Sequence, residues 1–471
     1  MSAGVRSLVP AALSLVVGMY TAACDPGAPA TTSGGAGGTG GAGGGDLAPE
    51  PTAEEWAALQ ALRWTGEPPP PDATNTFADS PAAAAFGQRL FFDPRFSGRL
   101  LDGDNDGSPA TLGEKGETGK VSCAGCHVPE DGFSDTRSPG QQISLAAGWI
   151  LRRTPSLLDS GHRRLLHWDG RRDTSYNQAL GVVEATLEYN SSRYFFAQQL
   201  FALHRAEYEA LFGPMPPLDD PSVFPPLAAE ETGCSALDGE PSDCQGRPGD
   251  MGYFDSLSPE DQDAVTRVAV NAGKAIGAYV RRLSCGPGRL DAWLAGDETA
   301  LTLAEKRGAL TFVGKGKCVS CHSGPLLTDH AFHNVGLLAG TVAVVFIDKD
   351  DPGAREGLLA ALADPLSSKG PYSDGDDGRL PEVVTDEMLG AFATPGLRCV
   401  AGRPAFMHTG QMKDLAEVVD FFDRGGHPAG FLGESELGEL GLGDAEKADL
   451  VAFLRTLDGP GPAPDLLVPP P

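Results

Sequence analysis

The sequence has little of several things that define common protein classes. Aromatic residues fill only 7% of its 471 positions, and Lys+Arg (36) fall far short of Asp+Glu (64). The resulting formal charge of −28 repels phosphate backbones and argues against a nucleic-acid partner. No apolar run reaches the roughly 18 residues of a spanning helix, which argues against an integral membrane protein. Cysteine is sparse as well: nine residues are spread too thinly for a disulfide scaffold. Disorder is not the consequence, because 41% hydrophobic residues supply real cores. Glycine (62) and proline (39) are plentiful, so many turns and long irregular loops are expected. At roughly 100–200 residues per domain, the length allows two to four domains.

Residues 1–24 read as a lipoprotein-type export signal. Arg6 supplies a positive start, Leu8 to Tyr20 an apolar run, and Thr21-Ala22-Ala23 small residues before Cys24. Cys24 is the expected lipid attachment point. Residues 25–52 are a Gly/Ala-rich flexible linker, nearly all glycine from Ser33 to Gly45. The expected location is the periplasm, anchored to a membrane by lipid only, or otherwise secreted. That compartment is oxidising, so further cysteines can pair.

Four cysteines carry chemistry. Cys123-Ala124-Gly125-Cys126-His127 and Cys318-Val319-Ser320-Cys321-His322 are two C-x-x-C-H motifs, each a c-type haem attachment signature. Two thiols one helical turn apart can add to the two vinyl groups on one haem edge. The next residue, His127 or His322, is then held under the iron as its proximal ligand. Zinc half-sites are the rival reading, but nearly two hundred residues separate the pairs, far more than compact zinc modules use. Cys234 and Cys244 lie in a Gly/Pro/Asp-rich stretch, where a short-loop disulfide is plausible. Cys285 and Cys399 can either pair or remain buried thiols.

Helical spacing marks residues 53–63, 82–92, 194–212, 259–283 (capped by Ser258), 303–312, 415–422 and 445–457. Strand patterns are few, with Thr341 to Ile347 the best. The expected fold is all-α: two cytochrome c-like haem domains with long loops and few short strands. The expected divisions are an N-terminal haem domain over 53–284 with an inserted loop at about 213–252, a C-terminal haem domain over 285–460, and a Pro-rich tail over 461–471.

From about Ala82 to Leu457 the chain resembles the bacterial dihaem cytochrome c peroxidases, including their MauG-type relatives. The resemblance rests on Leu90-Phe91-Phe92-Asp93 with Arg95, the first haem motif, Arg153-Thr154-Pro155-Ser156-Leu157 and Trp168-Asp169-Gly170-Arg171. Gln178, Glu188, the second haem motif, Thr394-Pro395-Gly396-Leu397-Arg398 and Phe406-Met407-His408-Thr409-Gly410 follow in the family's order. The resemblance implies two covalent haem c groups and reduction of hydrogen peroxide to water at the first. Electrons enter at the second from a small donor, a cytochrome c or a cupredoxin. It implies that Glu188 is the distal acid/base, with Glu184 the competing carboxylate, and that Trp168 relays electrons between the haems. His408, Met407, Arg171 and Gln178 are candidates for ordering the site. A homodimer is possible. The charge of −28 suits a basic donor.

Three departures stand out. Ala147-Gly148-Trp149 replaces a loop that often carries a ligating histidine, so the first site is expected to be open at rest, although His162 or His167 could swing in. Phe422, with no donor atom, stands where the second haem takes a Met or Tyr, leaving that iron five-coordinate or ligated by Met407, Met412 or His427. Arg153 and Arg403 stand where the family's calcium is held, so calcium is not expected. Two rival readings remain: a MauG-like oxidase modifying a partner protein, and a non-catalytic dihaem electron carrier or redox sensor.

Overall fold

Helix starts in this chain are set largely by side-chain caps. Ser80, Thr174, Ser192, Ser258, Thr302 and Asp414 each accept a backbone N–H from the first turn of the helix they precede. In a computed structural model, which describes residues 50–137, 143–236, 244–338 and 351–470, the helices in order are α1 (Ala53–Gln60), α2 (Pro81–Phe92), α3 (Cys123–Cys126), α4 (Ser175–Glu184), α5 (Arg193–Phe212), α6 (Pro259–Val280), α7 (Arg289–Leu294), α8 (Leu303–Val313), α9 (Ala354–Ala363), α10 (Leu415–Asp423) and α11 (Asp444–Leu454). Helices α4, α7 and α9 fall where the periodicity gives no expectation of one. The strands among the described residues are β1 (Phe332–His333) and β2 (Phe392–Ala393), paired antiparallel. The chain is therefore all-α with long loops. The expected strand Thr341 to Ile347 lies outside the described residues, as do the export signal and nearly all of the linker. No helix among the described residues is long and apolar enough to cross a membrane.

Two hydrophobic cores form. The first gathers Phe91, Phe96, Phe133, Tyr176, Leu200, Val268 and Tyr279 around α6; the second gathers Leu290, Trp293, Phe312, Val419, Phe421 and Phe453 around α8 and α11. The chain ends cross between them. Leu59 of α1 and the following Leu62 pack in the second core, not with the N-terminal half where the sequence suggests. The Pro-rich tail is not loose. Leu466 packs in the first core, its carbonyl accepts from Tyr279 Oη (2.6 Å), and Gln88 Nε2 donates to Asp465 O and Val468 O. Disulfides join Cys234 to Cys244 and Cys285 to Cys399, which closes both open questions about pairing.

Helix α6 is sheathed by α2, α4 and α5. The approach depends on absent side chains. A Cβ on Gly87 of α2 would collide with the Ala275 carbonyl oxygen of α6, and one on Gly273 of α6 would lie 2.7 Å from Tyr176 Cα of α4. Both obstacles are backbone, which cannot rotate away. Gly87→Ala gains about 1 kcal/mol of helix propensity, but forcing packed helices apart costs typically 1–3 kcal/mol. The holoprotein variant should lose on the order of 1 kcal/mol or more of stability in urea unfolding; equal or greater stability would contradict this packing.

Candidate active site

Both haem motifs fold alike, and local bonds explain why. Ser122 caps α3 by accepting from Gly125 N–H (3.1 Å), which winds the two thiols into one turn. His127 N–H then donates to Cys123 O (2.8 Å), and its ring Nδ1–H donates to Phe133 O (3.1 Å). In the second motif His322 N–H donates to Cys318 O (2.9 Å) and Nδ1–H to Leu327 O (2.9 Å). Each imidazole thus has Nδ1 protonated and Nε2 free to ligate, the tautomer that an axial ligand needs. Burial pushes His127 down to about 4 and lowers His322 as well, so both rings stay neutral. Among the described residues the one trio able to hold a metal ion is Cys321, Asp329 and His333. Haem attachment would consume the Cys321 thiol.

A cavity of about 620 Å³ opens beside the first motif, lined by Cys123, Cys126 and His127 together with Trp168, Gln178 and Glu188. Its wall is mostly apolar, as a porphyrin face requires. The wall also holds cations that lack a carboxylate. The Arg163 guanidinium donates to His167 O (3.1 Å), and burial alone pushes it down to about 10. Arg153 is buried, donates to Ser134 Oγ (3.2 Å), and is pushed to about 10 by burial and by nearby Arg403. Haem propionates would supply the missing negative charge. Thiols, free Nε2, apolar walls and unsatisfied cations together fit a haem c.

Glu188 is half-buried and faces this cavity. Burial raises its pKa, while Arg171 and Arg172 oppose the shift. Its backbone is pinned: Ala147 N–H donates to Glu188 O (3.0 Å) and Gly148 N–H to Leu187 O (2.9 Å). The Ala147 loop therefore acts as a brace for Glu188. Ala147 itself is fully buried, and Ala146 is the loop residue that lines the wall. Glu184 is committed elsewhere, with both oxygens on Arg193 (2.7 and 2.8 Å). Of the two candidate histidines, His162 packs edge-on to Trp64 (5.5 Å) outside the lining, whereas His167 lines the cavity.

Trp168 joins the two halves of the chain. Its Nε1–H donates to Arg153 O (2.7 Å), its carbonyl accepts from Ala393 N–H (2.8 Å), and its ring lies 6.5 Å from His408. His408 is buried, stacks on Phe392 at 3.5 Å, and is pushed down to about 3 by burial. It does not reach the cavity wall; Arg171 and Gln178 do. Arg171 pairs with Asp169 (3.1 Å), which also takes Arg152 (2.5 Å). Arg152 reaches Asp351 as well (2.8 and 2.7 Å). This clamp has no local signature, because its acids lie far apart along the chain. The contact of Tyr189, whose hydroxyl sits 3.2 Å from Cys123 Sγ, has none either.

Near the second motif, Phe422 lies half-buried against the second core, as does Met407, whose φ is +67°. Met412 is buried in that core, and His427 Nδ1 accepts from Leu338 N–H (3.0 Å).

A mostly helical chain with two part-buried imidazoles, each behind a thiol pair, fits a dihaem c-type oxidoreductase class. A family model described as di-haem cytochrome c peroxidase matches residues 81–232. The methylamine utilization protein MauG of Methylorubrum extorquens is 28% identical over 404 residues, covering 86% of this chain and 85% of that one. The cytochrome-c peroxidase IdrP2 of Denitromonas iodatirespirans is 28% identical over 413 residues, covering 86% and 87%. In fold, the chain is similar to the diheme peroxidase BthA of Burkholderia thailandensis, with a TM-score of 0.54 at 21% identity over 84% of this chain and 94% of that one. The chain is thus similar, over most of its length, to the family of dihaem cytochrome c peroxidases and MauG proteins. That family implies two haem c groups.

Replacing Cys123 and Cys126 together by serine should leave one covalent haem per chain, and so should the same change at Cys318 and Cys321. Denaturing-gel haem stain and intact mass check this; unchanged haem content in either variant would contradict the assignment.

Proposed function

We propose that this protein reduces hydrogen peroxide to water with electrons from a small, basic redox protein. The observation that carries the reading is Glu188, a braced carboxylate with a raised pKa on the wall it shares with Cys123, Cys126 and His127. Bound haem iron would hold the peroxide and pass it electrons. Glu188 takes a proton from one peroxide oxygen and returns it to the other, so that the O–O bond can break with one water leaving, and two further protons with the donor's two electrons bring the second oxygen to water. Gln178 and Arg171, on the same wall, orient the peroxide by hydrogen bonding. Trp168 provides an aromatic step between the halves, held by bonds to Arg153 and Ala393. Arg153 and Arg403 take the place of a calcium ion, since two neighbouring guanidiniums repel a divalent cation. Export and lipid attachment at Cys24 place the protein at a membrane surface, and the acidic body steers a basic donor toward it.

A second reading, oxidation of a partner protein, draws on the likeness to the methylamine utilization protein MauG and on the donor-free Phe422. Turnover of peroxide with small donors separates the two.

Glu188→Gln should lower peroxide turnover by about 10²–10⁴. Because the carboxyl pKa is raised, the working carboxylate appears only above the ordinary Glu range. The wild-type rate should therefore climb with pH through a limb lying above 4.5, and the variant should lack that limb. Stopped-flow rates across pH check both; equal rates in the two proteins would rule out this role. The donor reaction should also slow as ionic strength rises, because exposed charges more than about 10 Å apart are screened at 0.1 M salt; a salt-independent rate would remove the steering argument.

A further inference from the structure

Beside the haem cavity lies a second, smaller one of about 320 Å³. Glu188, His167 and Arg171 line both, together with Val182 and Ala185. Arg172, Gly181 and Glu184 line only the smaller one and form its outer part. The two outer charged side chains are fixed by ion pairs that point away: Arg172 to Asp364 (2.9 Å) and Glu184 to Arg193 (2.7 Å). Arg171 and Arg172 keep 34% and 24% of their side-chain surface exposed. The His167 ring makes no hydrogen bond among the described residues. Its backbone sits at φ +65°, in the bend of a hairpin closed by the Leu166–Arg172 bridge. A histidine rarely adopts a left-handed φ, and here the turn places it at the junction of the two cavities.

We infer that the smaller polar cavity is the entry route for hydrogen peroxide and protons, and that His167 stands with Glu188 at its inner end. The inference rests on the peroxidase reading and adds the path. Each turnover consumes one hydrogen peroxide, two protons and two electrons from the donor protein, and yields two waters. The peroxide and protons must cross to a dry haem face. Apart from the residues it shares with the smaller cavity, the haem cavity's wall is mostly apolar and offers hydrogen peroxide few hydrogen bonds, whereas the shared guanidinium, imidazole and carboxylate of Arg171, His167 and Glu188 offer them at the inner end of the smaller one. Burial and the cations Arg171, Arg172 and Arg152 keep His167 neutral, with Asp169 opposing, so its ring can accept a proton at one nitrogen and donate from the other.

Gly181 offers a way to narrow it without touching Glu188. A Cβ there would meet only the flexible end of Arg172, at 2.9 Å from Nε and 3.2 Å from Nη2. Gly181→Leu should therefore keep α4 intact and fill the outer part. In the holoprotein with both haems, stopped-flow cyanide binding to the ferric first haem should slow about tenfold, because constricted access lowers k_on. Hydrogen peroxide should slow in parallel, while the resting absorption and EPR spectra stay as in wild type. Cyanide binding at the wild-type rate in a spectrally intact variant overturns the passage, whatever peroxide does. Cyanide binding without peroxide consumption in wild type overturns the peroxidase reading and leaves the passage standing. Should Gly181→Leu fail to fold, Arg172→Ala tests the same route by widening it. The preference for hydrogen peroxide over tert-butyl hydroperoxide should shrink severalfold; an unchanged preference overturns the proposal.

Discussion

The close approach of α2 and α4 to α6 is the constraint on which the site depends. Gly87 and Gly273 remove side chains where a Cβ would strike the backbone of the neighbouring helix. That lets two helices lie against α6 at near backbone contact. Helix α2 then delivers Phe91 to the ring cluster with Phe133 and Tyr279, next to His127. Helix α4 delivers Gln178 and leads, within a few residues, to Glu188. Interiors pack densely and move little under strain, so a position set by helix contact is inherited by the loop that follows. The brace from Ala147 and Gly148 completes the placement of Glu188 with two backbone bonds.

Electrostatics inside this frame follow from dryness. Burial is the leading cause that keeps the His127 and His322 imidazoles neutral, raises Glu188, and weakens Arg163 and Arg153 as cations, the last with help from Arg403. The five shifts share that leading cause, the loss of water, and their directions suit haem binding and proton transfer. Where the chain needs charge, it pairs it. Asp169 is shared by Arg152 and Arg171, and Asp351 takes the far side of Arg152. This clamp lies directly beside Trp168 and fixes the segment that carries it. Buried pairs of this kind contribute little net stability but are costly to break, so their use here is positional.

The parts of the site legible in the sequence are those whose causes are local. A C-x-x-C-H motif is one helical turn and one residue, and its geometry follows from Ser122 and Cys123 carbonyl bonding. Helices with Ser or Thr caps, such as α2, α5, α6 and α8, are legible for the same reason. Helices α7 and α9 are harder to see: they start at Gly288 and Gly353, which offer no side-chain cap, and run only 6 and 10 residues. Helix α4 has its Thr174 cap, but Gly181 weakens the helical signal in the middle. Non-local facts are the ones that escape: Asp351 reaching Arg152, Glu184 turning to Arg193, and His167 rather than His162 facing the cavity. The first depends on where a segment 199 residues away packs, and the other two on how loops turn, neither of which spacing encodes.

The crossing of the chain ends argues that the two haem-bearing halves work as one body. Leu59 and Leu62, early in the sequence, complete the second core, and Leu466, near its end, completes the first. Arg398 and Asp291, both almost fully buried, add a tie across that exchange. The pair binds at 2.8 Å, Arg398 also donates to Leu62 O (2.6 Å), and Trp64 N–H donates to Asp291 (2.7 Å). The Cys285–Cys399 bond closes the same region covalently. Neither half can then shift as a rigid unit without opening the other's core. Trp168 is held from both sides, by Arg153 in one half and Ala393 in the other. The crossed ends therefore hold Trp168 at a fixed place between the two cores, which is what the relay role proposed for it requires.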